Sequence, residues 1–573
     1  MPHSDSPSPL LGREDLTTLP ILTIDPADAR DFDDAISIEI LPTGNIRLGV
    51  HIADVSHFVQ PDTALDQEAR KRGNSVYLPD RVIPMLPEIL SNGLSSLQPG
   101  KMRLTKSVFQ ELTPDGLCID VHLCDSVIVS RYRLNYEEVD AFFAETAAGN
   151  EVERSATRVT GLELPNDSPL LSGHCANAPF PAAVSQEELP KEARDMLTKF
   201  RKIARAMRAR RAARGMLVMN LPEIRLTLDV DGHVIGVRRE ENTESHQMIE
   251  EFMVSTNEAV AQTLADENAN VQRRVHRAPL ISKIDTLTQF LAELGIHLDD
   301  GEDRFQLQAL LKKTLGTEHE FAVHQAVLRA MQRAEYSPEE EGHYALASEC
   351  YCHFTSPIRR YADLTVHRQL KSYLRDESPK RNYRRVFDEG KHLSYCEQRA
   401  EEAERELTRI KMLHFFKTRE TEPLTARIVG VARYGIFVQC EEFPLEGIIR
   451  TESLPDDDYR YSTGSQTLSG ARRDNSYRLG DQVLVKIEKL DPDQREIEFR
   501  LLKVLASSAG KKRSHRDDDK SDDDFSDEKP RRKSRRAPES IYDPHLPAKF
   551  LGPVKPKKKK DTKKSSGKGK KKR

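Results

Sequence analysis

The stretch TIDPADARDFDDAISIEI (residues 23–40) joins a short apolar segment to a strand-like one through a run of aspartates. The alternation in AISIEI (35–40), the turn residues at 42–45 and the apolar stretch IRLGVHIADV (46–55) predict a β-hairpin. Because LPILTID (19–25) has the pattern of a short buried strand, we expect strands to hold the acidic run on both sides. The aspartates are Asp25, Asp28, Asp31, Asp33 and Asp34.

The acidic run allows two interpretations, a solvated turn or a metal site. Carboxylates this close repel one another, and their pKa values rise unless cations compensate. Hard divalent ions such as Mg²⁺ bind carboxylate oxygens, and two ions about 3.5–4 Å apart can clamp the attacking and leaving oxygens of a phosphoryl displacement. A calcium-binding EF-hand does not fit, because Ala35 and Ile36 stand where such a loop, counted from Asp31, needs a ligand and a glycine. The flanking strands favour the metal site.

A second motif is HFTSPIRRYADLTVHR (353–368). Ser356 and Pro357 predict the start of a helix, with serine as the N-cap. Arg359 and Arg360 then lie in the first turn, where basic residues oppose the helix dipole. This placement favours an anionic ligand such as phosphate. The alternative is a surface ion pair between Arg359 and Asp363, one helical turn apart.

The rest of the chain predicts an α+β body followed by a small barrel. A strongly basic helix is expected at 190–213, and a surface excursion without clear periodicity at 145–190. Further helices are predicted at 244–265, 283–295, 303–335, 356–374 and 391–418. Five short strands between 424 and 503 fit an OB-type barrel.

The predicted barrel carries two aromatic residues, Tyr434 and Phe437, with Arg433 and Arg450 nearby. Aromatic side chains beside cations are typical of single-strand nucleic-acid binding. The alternative is that one of the two packs in the core, and Phe437 is the better candidate for that position.

Composition limits the class of protein. The chain has 573 residues, 37% of them hydrophobic, and seven scattered cysteines that we interpret as structural thiols. No apolar run approaches the roughly 18 residues that span a membrane, and the N-terminus lacks a signal-peptide pattern, so we expect a cytoplasmic protein. Residues 511–573 hold 24 Lys or Arg against 11 Asp or Glu, a net charge of +13, whereas the remainder carries −17. This low-complexity tail cannot fold; it is either a solubility segment or a contact for a polyanionic partner.

TIDPADARDFDD resembles the signature of the RNB catalytic domain of the ribonuclease II and ribonuclease R exonucleases. The resemblance runs in order through residues 20–503 and fits the bacterial ribonuclease R branch best. It is carried by HIADVSHFV (51–59), SVYLPDRVIPMLPEILSNGLSSL (75–97), HQMIEEFM (246–253), HYALASECYCHFTSPIRRYADLTVHR (343–368) and AEEAERE (400–406).

The resemblance implies a flexible N-terminus at 1–18, an α+β RNB catalytic domain at 19–420, an all-β S1-type OB-fold domain at 421–505 and a disordered basic tail at 506–573. It also implies processive hydrolysis of RNA from the 3′ end to 5′-nucleoside monophosphates, with two Mg²⁺ ions and Mn²⁺ as a substitute. The partners implied are single-stranded RNA 3′ ends, and ribosomes or rRNA through the tail. A monomer without membrane contact is expected.

The resemblance assigns a role to each candidate site residue. Asp25, Asp31, Asp33 and Asp34 form the metal site, and Asp33 and Arg359 are catalytic. Contacts to RNA are expected from Tyr77, Arg360, Glu404, Tyr434, Phe437 and Arg450.

Three features depart from the family pattern. The cold-shock barrels that usually precede the catalytic motif are expected to be absent, so RNA loading would depend on the barrel and the tail. Arg273, in QRRVHR (272–277), stands where an aromatic residue usually completes a base clamp; arginine can also stack on a base. Residues 145–190 have no family counterpart. The rival function is a non-catalytic RNA-binding regulator.

Overall fold

The structure, a computed structural model, describes residues 12–148, 189–219, 221, 223–240, 242–317, 319–417, 422–462, 466–472, 475–491, 494 and 496–506. Their first half contains strands β1 (Glu14–Asp15), β2 (Leu22–Asp25), β3 (Asp34–Ile40), β4 (Ile46–Ala53), helices α1 (Val55–Phe58), α2 (Ala64–Arg72), strands β5 (Val76–Leu78), β6 (Arg81–Ile83), β7 (Met102–Leu112), β8 (Cys118–Val129), β9 (Tyr132–Asn135), helices α3 (Tyr136–Ala148) and α4 (Lys191–Ala213), strands β10 (Glu223–Leu228) and β11 (Val234–Glu240), and helix α5 (Glu244–Asp266).

The second half begins with β12 (Arg273–Val275), α6 (Ile281–Glu293), α7 (Arg304–Thr314), α8 (Glu320–Ala330), β13 (Glu335–Ser337), α9 (Tyr361–Tyr373) and α10 (Tyr383–Lys417). Strands then dominate: β14 (Leu424–Ala432), β15 (Gly435–Cys440), β16 (Glu446–Arg450), β17 (Tyr459–Ser462), β18 (Thr467–Gly470), β19 (Ser476–Arg478), β20 (Gln482–Asp491) and β21 (Glu496–Ala506). Within the described residues, no helix combines the length and the apolar character that crossing a membrane requires.

A seven-stranded sheet organises the first domain, in the order β1-β8-β7-β4-β3-β2-β9. The predicted hairpin is confirmed, because β3 and β4 pair antiparallel from Asp34 opposite Ile52 to Ile40 opposite Ile46. The sheet has an apolar cluster on each face. Ile36 and Val50 pack in one cluster with Phe200 of α4 and Phe252 of α5, and Ala35 packs in the other with residues of α9 and α10. The end of β2 and the start of β3 are therefore held inside the domain.

The basic helix predicted at 190–213 is α4, and its charges are largely used inside the protein. Arg201 pairs with Glu244 at the start of α5, and Arg208 and Arg211 pair with Glu251. Arg211 and Glu251 are both 2% exposed. This face of α4 therefore stabilises the packing of α4 on α5.

Two of the helix predictions need correction. The segment 303–335 is not one helix but two, α7 and α8, which are separated around Gly316, whose φ of +73° is incompatible with a continuing helix. Its end, β13, is a strand that pairs with β12. The last predicted helix, 391–418, begins earlier, at Tyr383. Most of the predicted excursion at 145–190 lies outside the described residues.

The predicted barrel is confirmed as a closed five-stranded barrel in the order β14-β15-β16-β21-β20. Its core also takes in Met412, Leu413 and Phe416 from the end of α10. The sequence did not predict the small sheet of β17, β18 and β19, which lies between the third and fourth barrel strands along the chain. The shared core joins the barrel to the longest helix of the first domain.

Candidate active site

The acidic loop connects the end of β2 to the start of β3. Asp25 is the last residue of β2, as the sequence predicted, and Asp34 is the first of β3, which begins one residue before the predicted strand. The loop is anchored by Ser96, whose Oγ accepts a hydrogen bond from the backbone N–H of Phe32 and donates one to the carbonyl of Arg30. Four of the five aspartates, on this anchored loop or at its ends, are half-buried or buried, whereas Asp28, on the same loop, is exposed.

The carboxylates are destabilised as anions. Burial raises the pKa of Asp33 well above its usual value, although the nearby Arg359 guanidinium lowers it in part. Burial and then the Asp34 carboxylate raise the pKa of Asp25, and burial raises the pKa of Asp34 to about 6. A group of like charges that resists ionisation in this way is one that a cation would stabilise.

The donor set fits a hard divalent cation. Oδ2 of Asp25 is buried and has no hydrogen-bond partner among the described residues, so it is available as a ligand. In the described part of the chain, two sets of side chains bring their possible ligand atoms within 4.8 Å of one another inside each set, and neither set contains these aspartates. The first set is Glu14, His122 and Cys124, and the second is Asp229, Asp231 and His233. The aspartates are thus more loosely set than a closed cage, and such a set suits Mg²⁺, which keeps several of its waters.

Arg359 lies next to Asp33, although 326 positions separate the two residues in the sequence. Its Nε is 3.9 Å from Oδ2 of Asp33, and Oδ1 of the same carboxylate accepts the backbone N–H of Ile358 at 2.9 Å. The predicted helix start at Ser356 is wrong: residues 357–359 form a turn, and α9 begins at Tyr361. The ion pair suggested between Arg359 and Asp363 is also wrong, because Asp363 binds Arg360 instead.

A cavity of about 180 Å³ opens beside this turn. It brings together four predicted site residues from three separate segments: Tyr77 of the β5–β6 hairpin, Arg359, Arg360, and Glu404 of α10. Tyr77 also donates its hydroxyl to Oδ2 of Asp31 at 3.1 Å, which connects the cavity to the acidic loop. The cavity is therefore lined by an aromatic ring and two guanidinium groups, and the Tyr77 hydroxyl joins it to the acidic loop.

The RNB domain family model matches residues 13–376, and the model of the S1 RNA binding domain matches residues 417–501. The chain belongs to the RNB domain family. Ribonuclease R of Thermotoga maritima is 37% identical to it over 502 residues, which are 86% of this chain and 65% of that protein. The chain spans less than two thirds of the length of the curated ribonucleases R that it matches.

Solved structures show the same architecture. Mycoplasma genitalium RNase R in complex with ribose methylated single-stranded RNA has a TM-score of 0.75 and 25% identity, and the match covers 86% of this chain and 72% of that one. Yeast Ssd1, a pseudonuclease, has a TM-score of 0.58 and 20% identity, with 80% and 52% covered. The RNB fold is therefore shared by a pseudonuclease, and the side chains of the site must decide the activity.

Arg273 is not placed to act as the second half of a base clamp. Its side chain is buried in the RNB domain, where it donates to the carbonyl of Pro338 at 2.8 Å and to Glu340 at 2.8 Å. The position belongs to β12, which pairs with β13, so the guanidinium group points into the protein and cannot stack on an entering base.

Two site residues of the RNB domain were missed from the sequence. Arg133 of β9 donates to the carbonyls of Ala27 and Ala29 in the acidic loop, and its guanidinium group lies over Phe32. Tyr136 stacks on His246 with ring centroids 3.8 Å apart, and burial, Asp34 and Asp25 raise its pKa. The parallel pairing of β9 with β2 places both there, and no local pattern predicts that pairing.

In the S1 domain, the alternative interpretation that Phe437 packs in the core is wrong. Phe437 is half-buried and meets the exposed Tyr434 edge-on, with centroids 6.0 Å apart, whereas its neighbours Ile436 and Val438 fill the core. Alternation along β15 explains this, because Phe437 faces the other side of the strand. Arg450 donates to Glu498 at 2.8 Å. The two aromatic rings therefore form an outer surface on the S1 barrel.

Proposed function

We propose that this chain is a metal-dependent exoribonuclease that degrades single-stranded RNA processively from the 3′ end and releases 5′-nucleoside monophosphates. One observation carries the proposal: Asp33 and Arg359, far apart in sequence, share a site beside a cavity that Tyr77 and Glu404 line. A carboxylate set and a guanidinium group at one point are what phosphodiester hydrolysis requires.

Each side chain has a role in this proposal. Arg359 would bind the scissile phosphate and stabilise the charge that builds on its oxygens, since guanidinium and phosphate pair bidentately. Tyr77 would stack on a base near the 3′ end, and Glu404 would contact the sugar-phosphate chain at the cavity. Contacts of this kind read no base edges, so cleavage would be largely independent of sequence.

The aspartates Asp25, Asp31, Asp33 and Asp34 would hold Mg²⁺, two ions in our proposal, with Mn²⁺ as a substitute. The ions would lower the pKa of a bound water and neutralise the phosphate. Ser96 and Arg133 hold the acidic loop in place, so its carboxylates stay close together, which makes cation binding favourable.

RNA capture is assigned to Tyr434 and Phe437 of the S1 domain and to the basic tail. Aromatic stacking there tolerates any base, and the tail would add contacts to RNA phosphates or to ribosomal RNA. The monomeric state and the cytoplasmic location remain predictions from the sequence.

The test uses a single-stranded RNA labelled in parallel at its 5′ and 3′ ends, with Mg²⁺ and with EDTA. The 3′ label should leave at once as a 5′-mononucleotide, and the 5′ label should remain in a short end product without intermediates. Asp33→Asn should abolish both. Asp28→Asn, in the same loop but exposed, is the matched control and should keep full activity.

The second candidate is a non-catalytic RNA-binding protein, a role made concrete by the pseudonuclease Ssd1, which shares the fold. Tight RNA binding by the wild-type chain without release of mononucleotides would favour it. Full activity of the Asp33→Asn variant would contradict the proposed site.

A further inference from the structure

The turn that carries Arg359 is held from inside the protein by a second carboxylate, Asp363 of α9. Asp363 is fully buried. Its Oδ1 accepts the backbone N–H of Ser356 at 2.8 Å and Nη2 of Arg360 at 2.7 Å, and its Oδ2 accepts Nε of Arg360 at 2.9 Å. One oxygen of Asp363 thus fixes the start of the turn, and both oxygens fix the residue that follows Arg359.

The same turn is fixed on two other sides. Asp33 accepts the backbone N–H of Ile358, two residues after the N–H that Asp363 accepts. The carbonyl of Arg359 accepts the N–H of Ser75 at 2.9 Å, and the N–H of Tyr361 binds the carbonyl of Gly73 at 2.9 Å. The backbone of Arg359 is therefore immobilised, while its side chain is 44% exposed toward the site.

We propose that Asp363, with Arg360 as its counterion, is a positioning residue that sets the distance between Arg359 and Asp33. This inference rests on the proposed nuclease function. Asp363 is too deeply buried to touch RNA. Arg360 lines the cavity, but two of its guanidinium nitrogens donate to Asp363, so it acts on the reaction chiefly through the turn and not as a phosphate ligand. The pair works because a buried carboxylate keeps its place only while charged donors surround it.

The consequence concerns rate more than binding. If the turn loosens, the guanidinium group of Arg359 is no longer held in position for the scissile phosphate. Asp33 also loses the backbone N–H of Ile358, which orients its carboxylate. A misplacement of about 1 Å can cost roughly 100-fold in rate. Substrate capture by Tyr77 and by the S1 domain uses other elements and should continue.

The test compares two buried carboxylates, Asp363, which lies on α9, and Asp66, which binds side chains of α9. Asp363→Asn keeps the volume of the side chain and one acceptor for Ser356, but it loses the charge and one of the two oxygens that bind Arg360. The matched control is Asp66→Asn. Asp66 is 5% exposed and accepts from Arg368 of the same helix at 2.6 Å and from the Tyr361 hydroxyl at 2.8 Å, so it anchors α9 through side chains and not through the turn before it.

We expect Asp363→Asn to lower kcat for single-stranded RNA by about 100-fold with KM little changed, and to increase amide hydrogen exchange in residues 354–360. Asp66→Asn should lower Tm to a similar extent without either effect. If Asp363→Asn does not fold, Arg360→Lys, which keeps the charge but loses the planar fork, is measured in the same way and should show the same pattern.

Two outcomes would overturn the inference: a wild-type kcat in the Asp363→Asn variant, or equal losses of kcat in both variants at equal Tm. If the wild-type chain hydrolyses no RNA, the proposed function fails, and the exchange of residues 354–360 still decides whether Asp363 holds the turn. Unchanged exchange in that segment would then reject the positioning role.

Discussion

At the scale of the residue, a substitution of Arg359 can separate the effect of its positive charge on the reaction from the effect of its planar shape. Arg359→Lys keeps the positive charge but removes the planar fork that matches a phosphate. We expect kcat to fall by about 100-fold with a smaller change in KM, measured by single-turnover degradation of labelled RNA. Arg384→Lys, at an exposed ion pair on α10, is the control and should behave as wild type. An Arg359→Lys enzyme of normal kcat would mean that charge alone suffices.

A second residue-scale prediction concerns stability in acid. His51 is fully buried between the hydroxyls of Ser37 and Ser107, and burial lowers its pKa to about 3. The unfolded chain takes up a proton near pH 6.5 and the folded chain does not. Stability is therefore lost as pH falls below 6.5, by about 1.4 kcal/mol per pH unit for this one group.

The measurement is the free energy of unfolding in urea at pH 7.5 and pH 5.5, for the wild type and for His51→Gln. His343 and His367, with pKa values lowered by burial to about 3 and about 4, change stability in the same direction, so the difference between the two proteins isolates His51. We expect the loss on acidification to be about 1.4 kcal/mol smaller in His51→Gln. Equal losses would show that His51 titrates alike in both states.

The site residues that could be predicted from the sequence are those within long motifs. Asp25, Asp31, Asp33 and Asp34 lie in one run, and Arg359 lies in another. Arg133 and Tyr136 could not be predicted, because the parallel pairing of β9 with β2 that brings them to the site is decided by tertiary packing. Asp363 was visible, but the sequence suggested a local helix pair with Arg359 where the structure pairs it with Arg360.

At the scale of the element, local patterns succeeded where no distant group competed. The β3–β4 hairpin and the five barrel strands follow from alternation and turn residues alone. The helix expected at Ser356 failed, because the backbone of Arg360 is extended and its two neighbours pair with Gly73 and Ser75, which lie far away in sequence. Pairing with a distant segment of backbone thus overrides a favourable local cap.

The long helix α10 offers an element-scale prediction at Gly390. A Cβ there would lie 2.9 Å from the carbonyl carbon of Tyr336 in β13, and closer still to its oxygen. Gly390→Ala should therefore destabilise the protein by about 1–3 kcal/mol, although alanine favours a helix by up to about 1 kcal/mol. Unfolding in urea measures the change.

Gly236→Ala, in β11, is the control, because a Cβ there meets no atom of the described residues within 4 Å. Its effect should stay within about 0.5 kcal/mol. Equal stability of Gly390→Ala and wild type would show that α10 can move away from β13, and that the contact is not a fixed part of the domain.

At the scale of the whole molecule, helix α10 connects the cavity of the proposed active site to the S1 barrel, to which we assign RNA capture. Glu404 lines the cavity, and Phe416, twelve residues later, lies in the core of the S1 barrel. At 1.5 Å per residue the two are about 18 Å apart along the helix. Contacts from α8 reinforce the arrangement, since Arg329 donates to the carbonyl of Val429 in β14. The sequence predicted both domains, but not the shared core that holds them together.

The basic tail gives the last prediction, because its charge is unevenly distributed. Residues 551–573 hold twelve Lys or Arg and one acidic residue, a net charge of +11, whereas residues 511–550 hold twelve and ten, a net charge of +2. If the tail binds RNA phosphates, deleting 551–573 should weaken binding and flatten its dependence on salt, by about 0.7 in the slope of log K against log salt for each phosphate that the tail no longer neutralises. Deleting the longer segment 511–550 removes as many basic residues and should change the slope far less. Affinities for a single-stranded RNA, measured with the Asp33→Asn variant at several salt concentrations, decide between the two. If the two deletions flatten the slope equally, the number of basic residues and not the net charge of each segment governs binding. If neither deletion changes the slope, the tail does not bind RNA phosphates, and the Tyr434 and Phe437 surface of the S1 barrel must account for binding.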